Sequence, residues 1–133
     1  MIAKIDHIGI AVNSVEDAVK PYADLLGIKA EDIEIEVVED QKARVIAIPV
    51  GGSRIELLES TDPEGPIAKH IERRGEGIHH IALEVTDIQG MLRALQGKEF
   101  PLIDMEPRIG AGGSKIAFLH PKGTKVLIEL VEH

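Results

Sequence analysis

Two stretches of the chain, residues 6–12 and 79–85, are rich in the apolar and β-branched residues that are typical of strands. Further apolar runs bounded by glycine, proline and charged residues predict three more strands after each of them. These strands are expected at about 32–39, 42–50 and 53–59, and again at about 101–106, 114–119 and 124–132. The two halves of the chain are thus predicted to contain the same kinds of element.

A helix is predicted directly after the first strand of each half. In the first half Ser14 is a typical N-cap residue, the apolar residues that follow share one helical face, and Gly27 ends the pattern. Pro21 lies inside this helix and is expected to kink or shorten it. In the second half Asp87 occupies the N-cap position and Gly97 ends the helix.

The two halves match when residue n is placed on residue n+73. The resulting order is βαβββ twice, which predicts an α+β fold made of two repeats, residues 1–62 and 76–133. A connector at residues 63–75 contains a short helix, Pro66–Arg73. Because each half is too small to bury a core alone, the whole chain of 133 residues is predicted to be a single domain.

The composition of the chain limits the kinds of partner, cellular location and metal ligand that are expected. The net charge of −8 and the scarcity of aromatic residues disfavour nucleic acid as a partner. No apolar run approaches 18 residues, so no membrane span is predicted, and no signal peptide is recognised, so a cytoplasmic protein is expected. Because cysteine is absent, any bound metal must be held by nitrogen and oxygen atoms.

The repeat also aligns four candidate metal ligands. His7 and His80 are 73 positions apart, and so are Glu56 and Glu129. Both glutamates lie in apolar runs, where an unpartnered carboxylate would be costly to bury. If the two repeats face each other, the four side chains surround one concave surface and suit a divalent ion with two positions left for water or substrate. The alternative is that they are salt bridges or hydrogen bonds between duplicated halves.

Other residues are candidates for catalysis and substrate binding. His120 is predicted to face the same surface and is a candidate acid–base group, or else a turn residue before a proline. The glycine-rich stretch 107–115 can present backbone N–H groups to an anion, or can be a flexible hairpin. Within it, Arg108, Ser114 and Lys115 are the candidate substrate-binding residues.

Several motifs carry a family resemblance. The sequence resembles the methylmalonyl-CoA epimerases, a family of the vicinal oxygen chelate superfamily, over essentially the whole chain. The motifs are IDHIGIAV at residues 5–12, IELLE at 55–59, GEGIHHIA at 75–82, FLHPK at 118–122 and VLIEL at 126–130.

The resemblance implies two βαβββ modules in a curled mixed sheet around a divalent metal, a homodimer, and (R)- and (S)-methylmalonyl-CoA as substrates. Cobalt, nickel, manganese, zinc and magnesium are all compatible with ligation by nitrogen and oxygen. Epimerisation requires an acid and a base on opposite faces of the substrate. Some relatives carry a glutamate base where this chain has Val45, which leaves Glu129 and His120 as the candidate acid–base pair.

Two other functions fit the same ligand set. One is a glyoxalase-type lyase that acts on a glutathione hemithioacetal, although the turn at residues 120–123 lacks the Asp-Pro-Asp-Gly-like sequence that is typical of glyoxalases. The other is a non-catalytic module of the same fold that binds a small molecule and need not retain a metal.

Overall fold

The structure is a computed structural model that describes residues 1–29 and 31–133 in full and residue 30 by its backbone. Its strands are β1 (Ile2–Ala11), β2 (Ile35–Val38), β3 (Ala43–Val50), β4 (Ser53–Ser60), β5 (Gly77–Val85), β6 (Arg108–Ile109), β7 (Lys115–Leu119) and β8 (Leu127–Glu132). Its α-helices are α1 (Val15–Leu26), α2 (Pro66–Arg74), α3 (Ile88–Gly97) and α4 (Pro121–Thr124). The order βαβββ occurs twice, and the prediction of a mixed α+β fold is confirmed.

The chain divides into two compact units, whose boundaries fall inside β1 and β5. The N-terminal unit comprises residues 8–79, and the C-terminal unit comprises residues 1–7 and 80–133. In the N-terminal unit the strand order is β2-β3-β4 followed by the end of β1, and β2, β3 and β4 are antiparallel. In the C-terminal unit the order is the start of β1, then β5-β8-β7-β6, with β5 and β8 parallel.

Helix α1 begins and ends where the sequence predicts. The Ser14 side chain accepts a hydrogen bond from the Asp17 N–H, and Gly27 adopts the left-handed conformation that glycine tolerates best. Pro21 does not shorten the helix, which continues to Leu26, so this one of the two expected effects does not occur. Both Pro21 and Asp17 lie on the exposed side, so the Asp17 carbonyl that loses its helical partner can bind water instead.

Helices α1 and α3 are each held at their first residue by a glutamate from the last strand of the same repeat. A Glu59 carboxylate oxygen accepts a hydrogen bond from the Val15 N–H at 2.9 Å. The equivalent Glu132 oxygen accepts one from the Ile88 N–H at 2.8 Å. Because the first N–H groups of a helix have no partner within the helix, these two carboxylates satisfy donors that would otherwise be left unpaired.

The core of the C-terminal unit lies between α3 and its sheet. The side chains of Leu92 and Leu130 are almost completely buried there. The cluster comprises Val85, Ile88, Leu92, Ala117, Leu119 and Leu130. In the N-terminal unit α1 packs in the same way on a cluster of Val12, Val15, Ile46, Ile48 and Leu57. None of the described helices combines the length and the hydropathy needed to cross a membrane.

The strand predicted at 101–106 is wrong. The structure has only one isolated bridge there, between Leu102 and Leu119, and places the short β6 further along the chain. The N–H groups of Ile103 and Asp104 both donate to the Phe118 carbonyl, while the Asp104 carboxylate accepts the Phe118 N–H. The Asp104 side chain thus accepts the Phe118 N–H, which in a regular strand pair would donate to a backbone carbonyl.

Smaller differences occur at the ends of other elements. Strand β2 is only four residues long: a 3-10 turn at Ala30–Asp32 includes the first residue of its predicted range, residues 33–34 are in no regular element, and a second 3-10 turn begins at Glu39. The residues before β8 form the one-turn helix α4 and not strand. The connector helix α2 has the predicted proline in its first turn and the predicted Gly75 after its end.

Candidate metal centre

Three of the four predicted ligands meet inside the C-terminal unit. His7 of β1, His80 of β5 and Glu129 of β8 are 6%, 4% and 5% exposed. The Nε2 atoms of the two histidines are 3.0 Å apart. The Glu129 Oε1 atom lies 3.0 Å from His80 Nε2 and 3.4 Å from His7 Nε2. Three potential donor atoms therefore form a small triangle in a buried position.

The size of this triangle matches the spacing of neighbouring ligands around a divalent ion. With bonds of about 2.1 Å, adjacent donor atoms of an octahedral ion are roughly 3.0 Å apart, and those of a tetrahedral ion roughly 3.4 Å apart. Two imidazoles and one carboxylate are also a donor set that borderline divalent ions accept. The residues present therefore fit a bound cation in both chemistry and geometry.

Strand register explains how His80 and Glu129 meet. Strand β5 runs parallel to β8, with Ala82 beside Glu129. Because side chains alternate along a strand, His80 and Ala82 point to the same face, and Glu129 points there with them. Phe118 pairs with Glu129 on β7, and its ring lies edge-on to the His80 ring at 6.1 Å between centroids.

The electrostatics of the site keep Glu129 ionised. Burial raises the pKa of its carboxyl group, but hydrogen bonds from His7 and His80, together with their charge, outweigh burial and lower the pKa to about 2. Glu129 is therefore a carboxylate at any physiological pH, and it is available as an oxygen ligand.

Asp6 also belongs to this site, although the sequence analysis did not identify it. Its carboxylate is 2% exposed. One oxygen, Oδ2, lies 2.6 Å from His7 Nδ1, and the other, Oδ1, lies 2.7 Å from His133 Nε2. Alternation along β1 predicts that Asp6 and His7 point to opposite faces, and His133 is distant in sequence. The only indication was an aspartate directly before a candidate ligand histidine.

Glu56, the fourth predicted ligand, belongs to the N-terminal unit. It lies on β4 opposite Ala47 of β3, and its side chain is 15% exposed. Its Oε2 atom accepts hydrogen bonds from the Arg54 guanidinium at 3.0 and 3.3 Å. This arginine fixes one of the carboxylate oxygens, and the predicted ligand role of Glu56 stays a prediction.

His120, a candidate acid–base residue, and Val45 lie in contrasting surroundings. His120 follows the end of β7 on an exposed turn, outside the triangle, and its Nδ1 atom accepts the Lys122 N–H at 3.0 Å. Val45, where the resemblance implies that some relatives carry a glutamate, is 8% exposed and packs in an apolar cluster with Leu58 and Ile67. No proton-transfer group is therefore available at position 45.

The three predicted substrate-binding residues make different contacts. The Arg108 Nε atom lies 3.3 Å from an Asp104 carboxylate oxygen, and its guanidinium lies 5.3 Å from the centre of the Phe118 ring. Ser114 Oγ is 2.7 Å from His133 Nδ1. The Lys115 ammonium is 3.9 Å from Glu132. Arg108 is connected to the ring of the candidate ligand His80 through Phe118, and Ser114 is connected to the ring of His7 through His133 and Asp6.

Comparison with known proteins shows the family to which the chain belongs. Residues 6–118 match the model of the Glyoxalase/Bleomycin resistance protein/Dioxygenase superfamily. The uncharacterized protein YqjC of Bacillus subtilis is 41% identical over 130 residues, which cover 97% of this chain and 91% of the relative. The ethylmalonyl-CoA/methylmalonyl-CoA epimerase of Cereibacter sphaeroides is 36% identical over 124 residues, which cover 92% and 91% of the two chains.

Solved structures of related proteins have the same fold as this chain. A variant of the Streptomyces coelicolor methylmalonyl-CoA epimerase, in complex with 2-nitronate-propionyl-CoA, superposes with a TM-score of 0.90 at 34% identity. The match covers 99% of this chain and 95% of that one, and it confirms the predicted fold class. The chain therefore belongs to the Glyoxalase/Bleomycin resistance protein/Dioxygenase superfamily and, within it, to the methylmalonyl-CoA epimerase family of isomerases.

Proposed function

We propose that this protein interconverts (R)- and (S)-methylmalonyl-CoA by removing the α-proton and returning it to the opposite face, with the help of a divalent cation. The observation that carries the proposal is the buried triangle of His7, His80 and Glu129, whose donor atoms are 3.0 to 3.4 Å apart. Relatives at 30–36% identity are named as epimerases of methylmalonyl-CoA, which supports this substrate.

In this proposal His7, His80 and Glu129 hold the cation. A divalent ion, when bound, supplies positive charge that stabilises the negative charge developing on a substrate oxygen. The burial of the three ligand side chains keeps bulk water away from the reacting oxygen. The low dielectric of such a site strengthens every electrostatic interaction within it.

Proton transfer needs one group on each face of the substrate. The pKa of Glu129, at about 2, makes its carboxylate a weak base and favours its role as a ligand. His120 uses Nδ1 as an acceptor from the Lys122 N–H, so in the neutral ring Nε2 carries the proton. His120 is therefore the better supported of the two proposed acid–base residues, with Nε2 as the atom that exchanges protons.

Arg108 is the residue best placed to bind a negatively charged group of the substrate. Its guanidinium lies over Phe118, whose ring also contacts His80. Stacking on the ring leaves guanidinium N–H groups free to pair with a carboxylate or a phosphate in a bidentate manner. A local cation of this kind is needed because the protein as a whole carries a net charge of −8.

Proton exchange in heavy water tests the proposal. Methylmalonyl-CoA of one configuration is incubated with metal-loaded protein in deuterium oxide, and both the deuterium content and the configuration at the α-carbon are followed. We expect deuterium incorporation together with formation of the second epimer, and neither with His80→Ala. His70→Ala is the matched control, because His70 lies on α2 in the other unit.

The opposite result is equally clear. If the folded, metal-loaded protein exchanges no α-proton but converts the hemithioacetal of methylglyoxal and glutathione, the epimerase proposal fails and a glyoxalase-type lyase replaces it. If it binds an acyl-CoA and turns over neither substrate, a binding module replaces it.

A further inference from the structure

We propose that Asp6 is the positioning residue of the candidate metal ligand His7, and that His133 and Ser114 hold Asp6 in place. The inference deepens the proposed metal site and rests on it. Its basis is a continuous series of three short contacts in the C-terminal unit: Ser114 Oγ to His133 Nδ1 at 2.7 Å, His133 Nε2 to Asp6 Oδ1 at 2.7 Å, and Asp6 Oδ2 to His7 Nδ1 at 2.6 Å.

The chemistry of the groups determines where the protons lie. An ionised carboxylate only accepts hydrogen bonds, so both imidazole atoms that contact Asp6 must carry hydrogen. His7 therefore carries a proton on Nδ1, and whenever its ring is neutral Nε2 has a lone pair that a cation can bind. That is the same atom that lies 3.0 Å from His80 Nε2 and 3.4 Å from Glu129 Oε1. Asp6 thus selects the tautomer of His7 that can bind a cation at the triangle.

The same reasoning orients His133. Because its Nε2 donates to Asp6, the Nδ1 atom of the neutral ring is an acceptor, and the Ser114 hydroxyl donates to it. Every group in the series then has a consistent role. The side chain of His133 is 45% exposed while that of Asp6 is 2% exposed, so the series leads from the surface to the buried ligand.

The burial of Asp6 gives this arrangement its rigidity. A buried carboxylate is costly unless it is fully hydrogen-bonded, and bonds from imidazole N–H groups to an ionised oxygen are among the stronger ones. Glu84 lies 3.9 Å from His133 Nε2, beyond hydrogen-bond distance, and does not compete with Asp6 for that atom. A carboxylate that binds the far nitrogen of a ligand histidine fixes the orientation of the ring and raises its basicity.

The first arm of the test measures cation affinity. Titration of the metal-free protein with Co²⁺ or Zn²⁺ is expected to show that Asp6→Ala binds about 10- to 100-fold more weakly than wild type. Asp6→Asn is expected to lose less, because the amide oxygen can still accept from His7. His133→Ala and Ser114→Ala remove the support and not the contact itself, so each is expected to lose less than Asp6→Ala. Asp87→Ala, which removes an aspartate N-cap in the same unit, is expected to keep wild-type affinity.

The second arm reads the His7 tautomer directly and needs no metal. Nitrogen-15 NMR of the histidine rings in metal-free protein is expected to show His7 protonated on Nδ1 in wild type and a mixture of tautomers in Asp6→Ala. Should Asp6→Ala not fold, Asp6→Asn and His133→Ala provide the same two readouts.

The two arms separate the inference from the function on which it rests. If wild type binds no cation, or if His80→Ala and Glu129→Ala bind as tightly as wild type, the proposed metal site fails, and the tautomer measurement still decides the role of Asp6. The inference itself is overturned if His7 in wild type carries no proton on Nδ1 and a single proton on Nε2. It is also overturned if Asp6→Ala, or His133→Ala where Asp6→Ala does not fold, keeps both the wild-type tautomer and the wild-type affinity.

Discussion

His80 and Glu129 contribute two of the three donor atoms in the buried triangle, and their substitution tests the site one residue at a time. We expect His80→Ala and Glu129→Ala each to lose more affinity for a divalent cation than the factor of about 10 to 100 that is typical of supporting residues. Isothermal titration with Co²⁺ measures the effect. His70→Ala should bind like wild type, and a tight wild-type site that survives both ligand substitutions would contradict the assignment.

Glu129 also predicts a pH dependence of stability. The pKa of its carboxyl is about 2 in the folded protein, below the ordinary value of 4.5, because hydrogen bonds and charge from two histidines outweigh burial. The carboxylate therefore contributes stability that is fully present above pH 4.5 and is lost as the pH falls from 4.5 towards 2.

Urea unfolding of the metal-free protein between pH 7 and pH 3 measures this loss. The contribution of Glu129 to the free energy of unfolding is expected to be no more than roughly 3 kcal/mol. Glu129→Gln should show a shallower decline below pH 4.5 than wild type. Parallel curves for the two proteins would show that the histidines do not stabilise the ionised carboxylate.

The sequence predicts some of these residues better than others. His7, His80 and Glu129 could be placed because a repeat of 73 positions and strand alternation bring equivalent side chains to one face. Asp6 and His133 could not be placed in this way. Their contact joins residues 127 positions apart. His133 lies beyond the end of β8, where the alternation of side chains along a strand no longer applies.

At the scale of elements, the contribution of the hydrogen bonds that hold the starts of α1 and α3 to the free energy of unfolding can be tested by mutation. Glu132→Ala removes the acceptor of the Ile88 N–H, and we expect the free energy of unfolding to fall by about 1 to 3 kcal/mol, as for other hydrogen bonds to charged groups. Chemical denaturation measures it. Glu106→Ala, an exposed glutamate in the same unit, should change the value by less than about 0.5 kcal/mol. Equal effects of the two substitutions would contradict the role of Glu132.

The predictions of helices and strands were correct where residues close in sequence determine the structure. Caps and terminators placed α1 and α2 to within a residue, since their hydrogen bonds are local. The segment 101–106 has a strand-like composition, but Asp104 binds the backbone of Phe118 with its side chain and prevents a regular ladder. That competition depends on a residue 14 positions away, so local propensity could not detect it.

At the scale of the whole molecule, binding of a cation is linked to global stability. A ligand present at 100 times its dissociation constant raises the free energy of unfolding by about 2.7 kcal/mol if only the folded state binds it. We therefore expect thermal unfolding of wild type to shift upward on addition of the metal, and the shift to disappear in Glu129→Ala. Differential scanning calorimetry measures it. An equal shift in both proteins would show that the ion binds elsewhere.

The glutamates that hold the two long helices have a dynamic consequence for the whole chain. The amide hydrogens of Val15 and Ile88 lie in first turns, which ordinarily open and exchange with solvent quickly. Here each is bonded to a glutamate side chain on the last strand of its own repeat, so that hydrogen bond must break before the helix start can fray. In hydrogen exchange these two amides should therefore be protected more strongly than first-turn amides usually are, at equivalent positions of the two repeats.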